Sequence, residues 1–200
     1  MEMALAEIGA DYCLREVDLR VGAQREESYA SVNPHRKLPA LATPSGEILT
    51  ESVAILLTLA ERHPEAKLLP TDSAERAQAL RWLLFLGTEI YPVVEINDYP
   101  NRFTVTGDDE SAVRELARSI WRERWLLVDR AIHGDPYLLE SGFCLADIYI
   151  AVVSQWAQQE EWRRENLPKV ETLTAAVVSR PASGGVWKRH RPEVVPERFD

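Results

Sequence analysis

A proline that directly precedes a short apolar stretch constrains this chain more than any other feature. Residues 33–41 read Asn-Pro-His-Arg-Lys-Leu-Pro-Ala-Leu, so that Pro39 opens the apolar stretch. A proline in this position can hold a tight turn, often with its peptide bond in cis. Further along, Glu51 and Ser52 stand at the start of an apolar helical pattern, where backbone amide groups favour a carboxylate. The two features together indicate a site for a small, peptide-like zwitterion.

The first part of the chain, up to the proline at position 64, mixes helical and strand patterns. Gly9 suits the left-handed residue that follows a helix, and residues 44–46, Pro-Ser-Gly, suit a hairpin turn. Pro64 ends the last helical pattern of this part. The predicted elements are a helix over 3–8, strands over 14–19, 38–43 and 47–49, a short helix over 24–31, and a helix capped by Thr50 that runs to about 63.

The remainder of the chain carries helical patterns only. Residues 64–73 hold two prolines and several polar residues, which is the composition of a linker. We therefore predict a first domain over 1–66, a linker over 67–72 and an all-helical domain over 73–200. The helices predicted in this domain cover 77–90, with a kink or an end at Tyr91-Pro92, then 111–132, 143–159 and 169–178, with a short one near 186–190.

Composition argues against several classes of function. The chain carries 23 Lys and Arg against 32 Asp and Glu, a formal charge of -9, which repels nucleic acid and anionic membranes. Its four histidines and two cysteines show no metal-ligand spacing, no redox motif and no disulfide framework. No apolar stretch reaches the length of a membrane span, and the first residues lack the pattern of a secretory signal. We therefore expect a cytoplasmic protein without a metal, a membrane or a nucleic-acid partner.

A further motif lies in the helical part, where residues 143–148 read Phe-Cys-Leu-Ala-Asp-Ile. Taken with the Pro39 turn, the Glu-Ser doublet and the order of the two domains, this motif resembles the glutathione transferase family. The likeness covers nearly the whole chain. It implies an α+β thioredoxin-like N-terminal domain, truncated at its start, followed by an all-α C-terminal domain. It also implies glutathione as the co-substrate.

The resemblance assigns binding roles to residues of the first two motifs. Glu51 and Ser52 would hold the γ-glutamyl end of glutathione, with the serine at the helix start. Leu38 would pair its backbone with the cysteinyl unit, beside a cis Pro39 that exposes this backbone edge. Lys37 would face the glycine carboxylate.

Some features of the turn leave alternatives open. His35 is a second candidate for the glycine carboxylate, and Arg36 stands where many relatives carry a small residue, which leaves the shape of the turn open. Taken alone, a Glu-Ser doublet before an apolar helix is usually only a helix start, and Lys37 is usually a solvated surface charge. The joint order of the motifs favours the binding roles.

The resemblance gives Asp147 a structural role at the start of a helix. In the family the position of Cys144 is typically Ser or Thr, which forms a capping box with the aspartate. A thiol is a weaker hydrogen-bond partner than a hydroxyl. We therefore expect one half of the box to be weakened, at a cost of about 1 kcal/mol.

In the family, a strand and a Tyr, Ser or Cys that activates the glutathione sulfur precede or open the first helix. Met1 lies beyond that point, so the sequence offers no counterpart of either, and no catalytic residue is assigned. Tyr12 and Cys13 follow the helix-ending glycine, at the wrong end of the helix to replace it. Since the family's first strand lies inside the sheet, we expect residues 14–19 to be displaced, to pair anew, to be poorly ordered or to be covered by a partner chain.

These expectations lead to three hypotheses. The first is a glutathione transferase, a homodimer that conjugates glutathione to small hydrophobic electrophiles, with catalysis impaired by the absent residue. The second is a noncatalytic glutathione-binding or dimerisation module on the same scaffold. The third is that Met1 is a misplaced start, and that the natural protein carries the absent segment upstream.

Overall fold

The computed structural model describes residues 1–105 and 109–190, and the chain divides into two units. The first unit comprises Met1–Ala66, and the second begins at Lys67. The elements of the first unit are α1 (Glu2–Glu7), α2 (Glu27–Ala30), β1 (Ala40–Ala42), β2 (Ile48–Thr50) and α3 (Ser52–Arg62), with 3-10 turns at Leu19–Val21, Ala23–Arg25 and Pro64–Ala66.

The core of the first unit lies between α1 and α3. Met3 and Leu5 of α1 are buried, as are Ile55 and Leu56 of α3, and the two helices pack against each other. Gly9 takes a φ of 66°, so the chain leaves α1 through the left-handed glycine that the sequence predicts. Apolar residues at helical spacing therefore fix the two helices together.

Strands β1 and β2 form an antiparallel hairpin. Ala40 pairs with Thr50, and Ala42 pairs with Ile48. Gly46 takes a φ of 86° in the connecting turn, a conformation that glycine adopts without a steric cost. The predicted hairpin is confirmed, although β1 is shorter than the sequence suggests.

Residues 14–19 do not form the predicted strand. They have no regular structure up to Leu19, where a 3-10 turn begins, and Leu14 and Leu19 are nearly half exposed, at 45% and 48%. A strand needs a hydrogen-bonded neighbour, and the sheet in the described residues contains only β1 and β2. The strand prediction is therefore wrong. The segment lies outside the sheet, which is one of the outcomes expected for it.

The second unit is built from helices throughout its described parts, apart from one isolated bridge between Leu139 and Gly142. Its helices are α4 (Ser73–Phe85), α5 (Tyr91–Asp98), α6 (Glu110–Ala131), α7 (Leu145–Val153), α8 (Glu160–Asn166), α9 (Pro168–Ser179) and α10 (Pro181–His190). Helix α6 packs against α5 and α9, and α7 packs against α4 and α9. None of the described helices is long and apolar enough to cross a membrane.

Tryptophan side chains occupy the core of the second unit. Trp121 and Trp125 of α6 are fully buried, with ring centroids 5.7 Å apart. Trp162 of α8 meets Trp121 with its centroid at 6.0 Å. The i, i+4 spacing of the first two puts both rings on the same face of α6, so that this long helix anchors the unit.

Two predicted helices of this unit are interrupted. Of the helix predicted over 143–159 the structure forms only α7, which ends at Val153. Ala157 and Gln158 take positive φ angles of 66° and 52°, which a helix does not accommodate, and α8 begins after them at Glu160. The helix predicted to kink or end at Tyr91-Pro92 contains a π-helical turn at Leu86–Ile90 before α5 begins. A local change of backbone conformation therefore separates α7 from α8, whereas the π-helical turn connects α4 to α5 without a break.

Helix α7 begins with a capping box around the buried Asp147. The Asp147 carboxylate accepts hydrogen bonds from the N–H groups of Cys144 at 2.7 Å and Leu138 at 2.8 Å. The Cys144 side chain faces the Asp147 amide from the N-cap position. Burial raises the pKa of Asp147 to about 6, and outweighs the two amide hydrogen bonds that lower it. Asp147 thus joins the preceding loop to the first turn of α7.

Replacing Cys144 with serine should stabilise the second unit. A hydroxyl oxygen accepts the N-cap hydrogen bond better than sulfur does, which is worth about 1 kcal/mol. Urea unfolding followed by circular dichroism should show a higher midpoint for Cys144→Ser and a lower one for Cys144→Ala, which lacks an acceptor. Equal midpoints for the serine variant and the wild type would contradict a weakened box.

The raised pKa of Asp147 should make the stability of the second unit depend on pH. In the folded state Asp147 keeps its proton up to about pH 6, whereas an unfolded aspartate keeps it only to about pH 4. The contribution of Asp147 protonation to the free energy of unfolding is therefore complete below pH 4 and is lost as the pH rises through 6. The loss amounts to about 2 to 3 kcal/mol. Asp147→Asn does not titrate, so its deficit against the wild type in urea unfolding should be larger at pH 4 than at pH 7. A deficit that is the same at both pH values would refute this.

Candidate functional site

A turn over residues 33–39 leads into β1 at one end of the hairpin. The Leu38–Pro39 peptide bond is cis, the form that the sequence analysis expects. Leu38 and Pro39 are half-buried, and Lys37 is exposed. The turn therefore presents its main chain and one cationic residue next to the first residue of the strand, Ala40.

Two side chains hold the carbonyl group of Lys37 in this turn. Asn33 Nδ2 donates to the carbonyl oxygen at 2.7 Å, and Tyr29 Oη donates to it at 2.9 Å. Asn33 is 4% exposed, and its Oδ1 accepts the N–H of His35 at 3.0 Å, which is the contact of an Asx turn. The turn is thus held both by α2 and by its own first residue.

Arg36 takes a left-handed conformation within the turn, with a φ of 55°. A residue with a Cβ atom reaches this region only at a cost, which explains why a small residue suits the position. The Arg36 guanidinium nevertheless ties the turn down, because it donates to the carbonyl oxygen of Arg25 at 2.6 Å and to the Glu27 carboxylate at 3.3 Å. The shape left open by the sequence is therefore a left-handed turn with a side-chain anchor.

The Glu-Ser doublet lies at the same end of the hairpin as this turn. Because Ala40 pairs with Thr50, Pro39 and Glu51 are the next residues beyond that pair, one on each strand. Paired residues of antiparallel strands lie about 5 Å apart. The register of one hairpin therefore brings the two sequence motifs together.

The main chain bends sharply between β2 and α3. Glu51 takes a φ of 64° and a ψ of 114°, and its carbonyl oxygen accepts the N–H of Ile55 at 3.0 Å. Its side chain makes no capping hydrogen bond. Thr50, the predicted cap, is the last residue of β2, so that prediction is wrong. Strained backbone angles of this kind persist only where surrounding contacts hold them, and binding and catalytic sites are enriched in them.

The arrangement suits a ligand that carries both signs of charge. Glu51 is exposed and can accept hydrogen bonds from an ammonium group. Ser52 begins an 11-residue helix, whose N-terminal amide groups favour a carboxylate. Lys37 can face a second carboxylate. In the part of the chain that the structure describes, no group of three His, Cys, Asp or Glu side chains could hold a metal ion.

The remaining candidates have other positions. His35 is exposed within the turn, whereas Asp147 caps α7 in the second unit. Tyr12 Oη donates to Glu2 of α1 at 2.8 Å, and Cys13 is an exposed free thiol. The structure therefore places Asp147 at a helix start in the second unit. The candidate site lies at the end of the hairpin in the first unit.

Tyr29 and Asn33 are the site-supporting residues that sequence reasoning missed. The Asn33-Pro34 dipeptide is a recognised turn signal, so Asn33 could have been found from it. Tyr29 is eight residues from the carbonyl group that it binds, and no local pattern predicts such a contact.

Sequence comparisons connect this chain to a family of known proteins. Residues 1–62 match the family model of the glutathione S-transferase N-terminal domain. The chain is 30% identical over 171 residues to the GST-like protein YncG of Escherichia coli K12, a match that covers 84% of this chain and 80% of that protein. It is 34% identical over 195 residues to a probable maleylacetoacetate isomerase of Caenorhabditis elegans, covering 96% and 89%.

A structural comparison agrees with these matches. A glutathione transferase homologue from Sulfitobacter, crystallised with bound glutathione, superposes with a TM-score of 0.88 at 25% identity, over 94% of this chain and 91% of that one. The chain belongs to the glutathione S-transferase family. Its architecture is that of the family, with an α+β thioredoxin-like domain followed by an all-α domain.

Arg36→Gly should be more stable than Arg36→Ala. Both variants lose the guanidinium contacts, but only alanine keeps a Cβ atom at a φ of 55°. That cost, about 1 to 2 kcal/mol, exceeds the roughly 0.4 to 1 kcal/mol that glycine loses through the greater freedom of its unfolded chain. Native-state hydrogen exchange at β1 and β2 measures the difference, because the turn leads into them. A glycine variant less stable than the alanine variant would contradict the left-handed assignment.

Proposed function

We propose that this protein binds glutathione and conjugates it to small apolar electrophiles. The observation that carries the proposal is the juxtaposition of the cis Leu38–Pro39 turn with the Glu51-Ser52 helix start at one end of a hairpin. Membership of the family supports it, as does the glutathione bound to the Sulfitobacter homologue.

In this proposal Glu51 and Ser52 receive the γ-glutamyl end of the tripeptide. The α-amino group of that end is cationic, and the exposed Glu51 carboxylate complements it. Its α-carboxylate lies at the N-terminus of α3, where Ser52 and the first-turn amides can donate hydrogen bonds. The Glu51 side chain is not used to cap α3, which is consistent with a role toward the ligand.

The rest of the tripeptide lies along the turn. The main chain of Leu38 pairs with the cysteinyl unit as an added strand would, with the cis Pro39 beside it. Lys37 faces the glycine carboxylate, and the exposed His35 can add a second polar contact. Each part of glutathione thus has a group of matching charge or a matching main-chain edge.

Binding and chemistry are separable steps in this proposal. Conjugation requires the thiolate, because a neutral thiol attacks electrophiles poorly, and the unperturbed thiol pKa is about 8.5. The contacts assigned above hold the ends and the main chain of glutathione, and none of them is to its sulfur. A noncatalytic glutathione-binding or dimerisation module is therefore the second candidate function.

The helical unit would supply apolar contacts for the electrophile and for a second copy of the chain. Leu84 of α4 is 53% exposed, and Leu116 and Leu127 of α6 are 62% and 45% exposed. Exposed apolar surface of this kind offers contacts to an apolar ligand or to a second copy of the chain. The proposed working form is a homodimer in the cytoplasm.

Ser52→Ala should bind glutathione about three- to ten-fold more weakly than the wild type, since it loses one hydrogen bond to a carboxylate. Glu51→Gln should lose about ten-fold or more, because the lost contact is charge-assisted. Ser45→Ala, in the turn at the opposite end of the hairpin, is the matched control and should bind like the wild type. Isothermal titration calorimetry gives these affinities, and equal values for all variants would remove Glu51 and Ser52 from the site.

A conjugation assay with a generic aromatic halide separates the two candidate functions. Calorimetric binding accompanied by turnover supports the transferase. Binding without turnover favours the noncatalytic module. The absence of both signals would overturn both candidates.

A further inference from the structure

Two side-chain donors converge on one main-chain carbonyl beside the proposed ligand site. Tyr29 Oη donates to the Lys37 carbonyl oxygen at 2.9 Å, and Asn33 Nδ2 donates to the same oxygen at 2.7 Å. A carbonyl oxygen has two lone pairs, so these two donors can use both. Tyr29 lies on α2, and Asn33 lies three residues after the end of α2, in the turn. The direction of this carbonyl group is therefore set from the α2 side.

The direction of the carbonyl also determines the direction of the next amide. The peptide group between Lys37 and Leu38 is planar and trans, so the Leu38 N–H points opposite to the Lys37 carbonyl. Because Tyr29 and Asn33 hold the carbonyl toward α2, the Leu38 N–H is directed away from α2. Pro39 has no N–H, so Leu38 supplies the last amide before β1.

The two donors are themselves fixed in place. Asn33 is buried, and its Oδ1 accepts the His35 N–H, which leaves Nδ2 to face the Lys37 carbonyl. Tyr29 is partly buried, and burial raises the pKa of its phenol above the ordinary value. The Tyr29 hydroxyl therefore keeps its proton at neutral pH and remains a donor.

We propose that Tyr29, acting with Asn33, is a positioning residue of the glutathione site. It holds the Lys37 carbonyl, and thereby orients the main chain of Leu38 against which the cysteinyl unit pairs. This inference rests on the proposed function. Its effect is specific to the cysteinyl portion, because Leu38 is assigned to neither end of the tripeptide.

The experiment compares two single-hydroxyl deletions in the first unit. Tyr29→Phe removes one donor to the Lys37 carbonyl and keeps the ring. Tyr12→Phe is the matched control, since it removes a hydroxyl that is bonded to Glu2 on α1. Calorimetry measures the affinity of both variants and the wild type for glutathione and for γ-glutamylcysteine, which lacks the glycine. An effect through Leu38 weakens both peptides equally, whereas an effect through the Lys37 side chain weakens glutathione alone.

We expect Tyr29→Phe to bind both peptides about three- to ten-fold more weakly than the wild type does. Without ligand, Tyr29→Phe should have a thermal unfolding midpoint no lower than that of Tyr12→Phe. The Tyr12→Phe control should bind both peptides with wild-type affinity. Unchanged affinity for both peptides would overturn the positioning role. So would a loss confined to glutathione, or an equal loss in the control variant.

Deuterium uptake in the ligand-free protein tests the positioning without any peptide. Tyr29→Phe should speed exchange several-fold in the segment over 37–42, because the turn loses one of its two carbonyl contacts, and Tyr12→Phe should not. If the wild type fails to bind glutathione, the proposed function is wrong, and uptake alone decides the positioning. Faster exchange then supports the hold of Tyr29 on the Lys37 carbonyl but not a role toward glutathione, and unchanged exchange overturns both.

Discussion

The pairing of Ala40 with Thr50 is the contact on which the candidate site depends, because it places a turn and a helix start side by side. Each strand has only three residues, and an isolated two-stranded hairpin is at best marginally stable in water. The hairpin therefore relies on α3, which follows β2 and buries Ile55 and Leu56. The packing in the core of the first unit therefore also holds the geometry of the candidate site at the end of the hairpin.

Two backbone conformations of raised energy flank this contact. Arg36 and Glu51 both take positive φ angles, at 55° and 64°, and each conformation costs about 1 to 3 kcal/mol for a residue with a Cβ atom. Such angles persist only where other contacts impose them. The Arg25 carbonyl holds Arg36 through its guanidinium, and the hydrogen bond from Ile55 holds Glu51 at the helix start. The site is thus shaped first by main-chain geometry and second by side-chain chemistry.

Local signals predict a large part of this arrangement, and distant contacts account for the rest. Gly9, Gly46 and Pro39 each restrict their own backbone, so their turns can be inferred from a few neighbouring residues. The prediction of a strand over 14–19 is wrong because an alternating pattern does not indicate whether a partner strand is available. The contact between Tyr29 and the Lys37 carbonyl is missed for a related reason, since a tyrosine hydroxyl can reach many acceptors and the sequence does not choose among them.

The placement of the indole rings has a consequence for spectroscopy. All six tryptophans lie in the second unit, with Trp121 and Trp125 in its core, whereas the hairpin end lies in the first unit. Intrinsic emission excited at the red edge of protein absorption therefore reports on the helical unit alone. The aromatic residues of the first unit are Tyr12 and Tyr29, and tyrosine is not excited under those conditions, so this unit contributes no emission. The emission of a tryptophan introduced into the first unit would therefore have to be measured as a difference from the emission of the six tryptophans in the second unit.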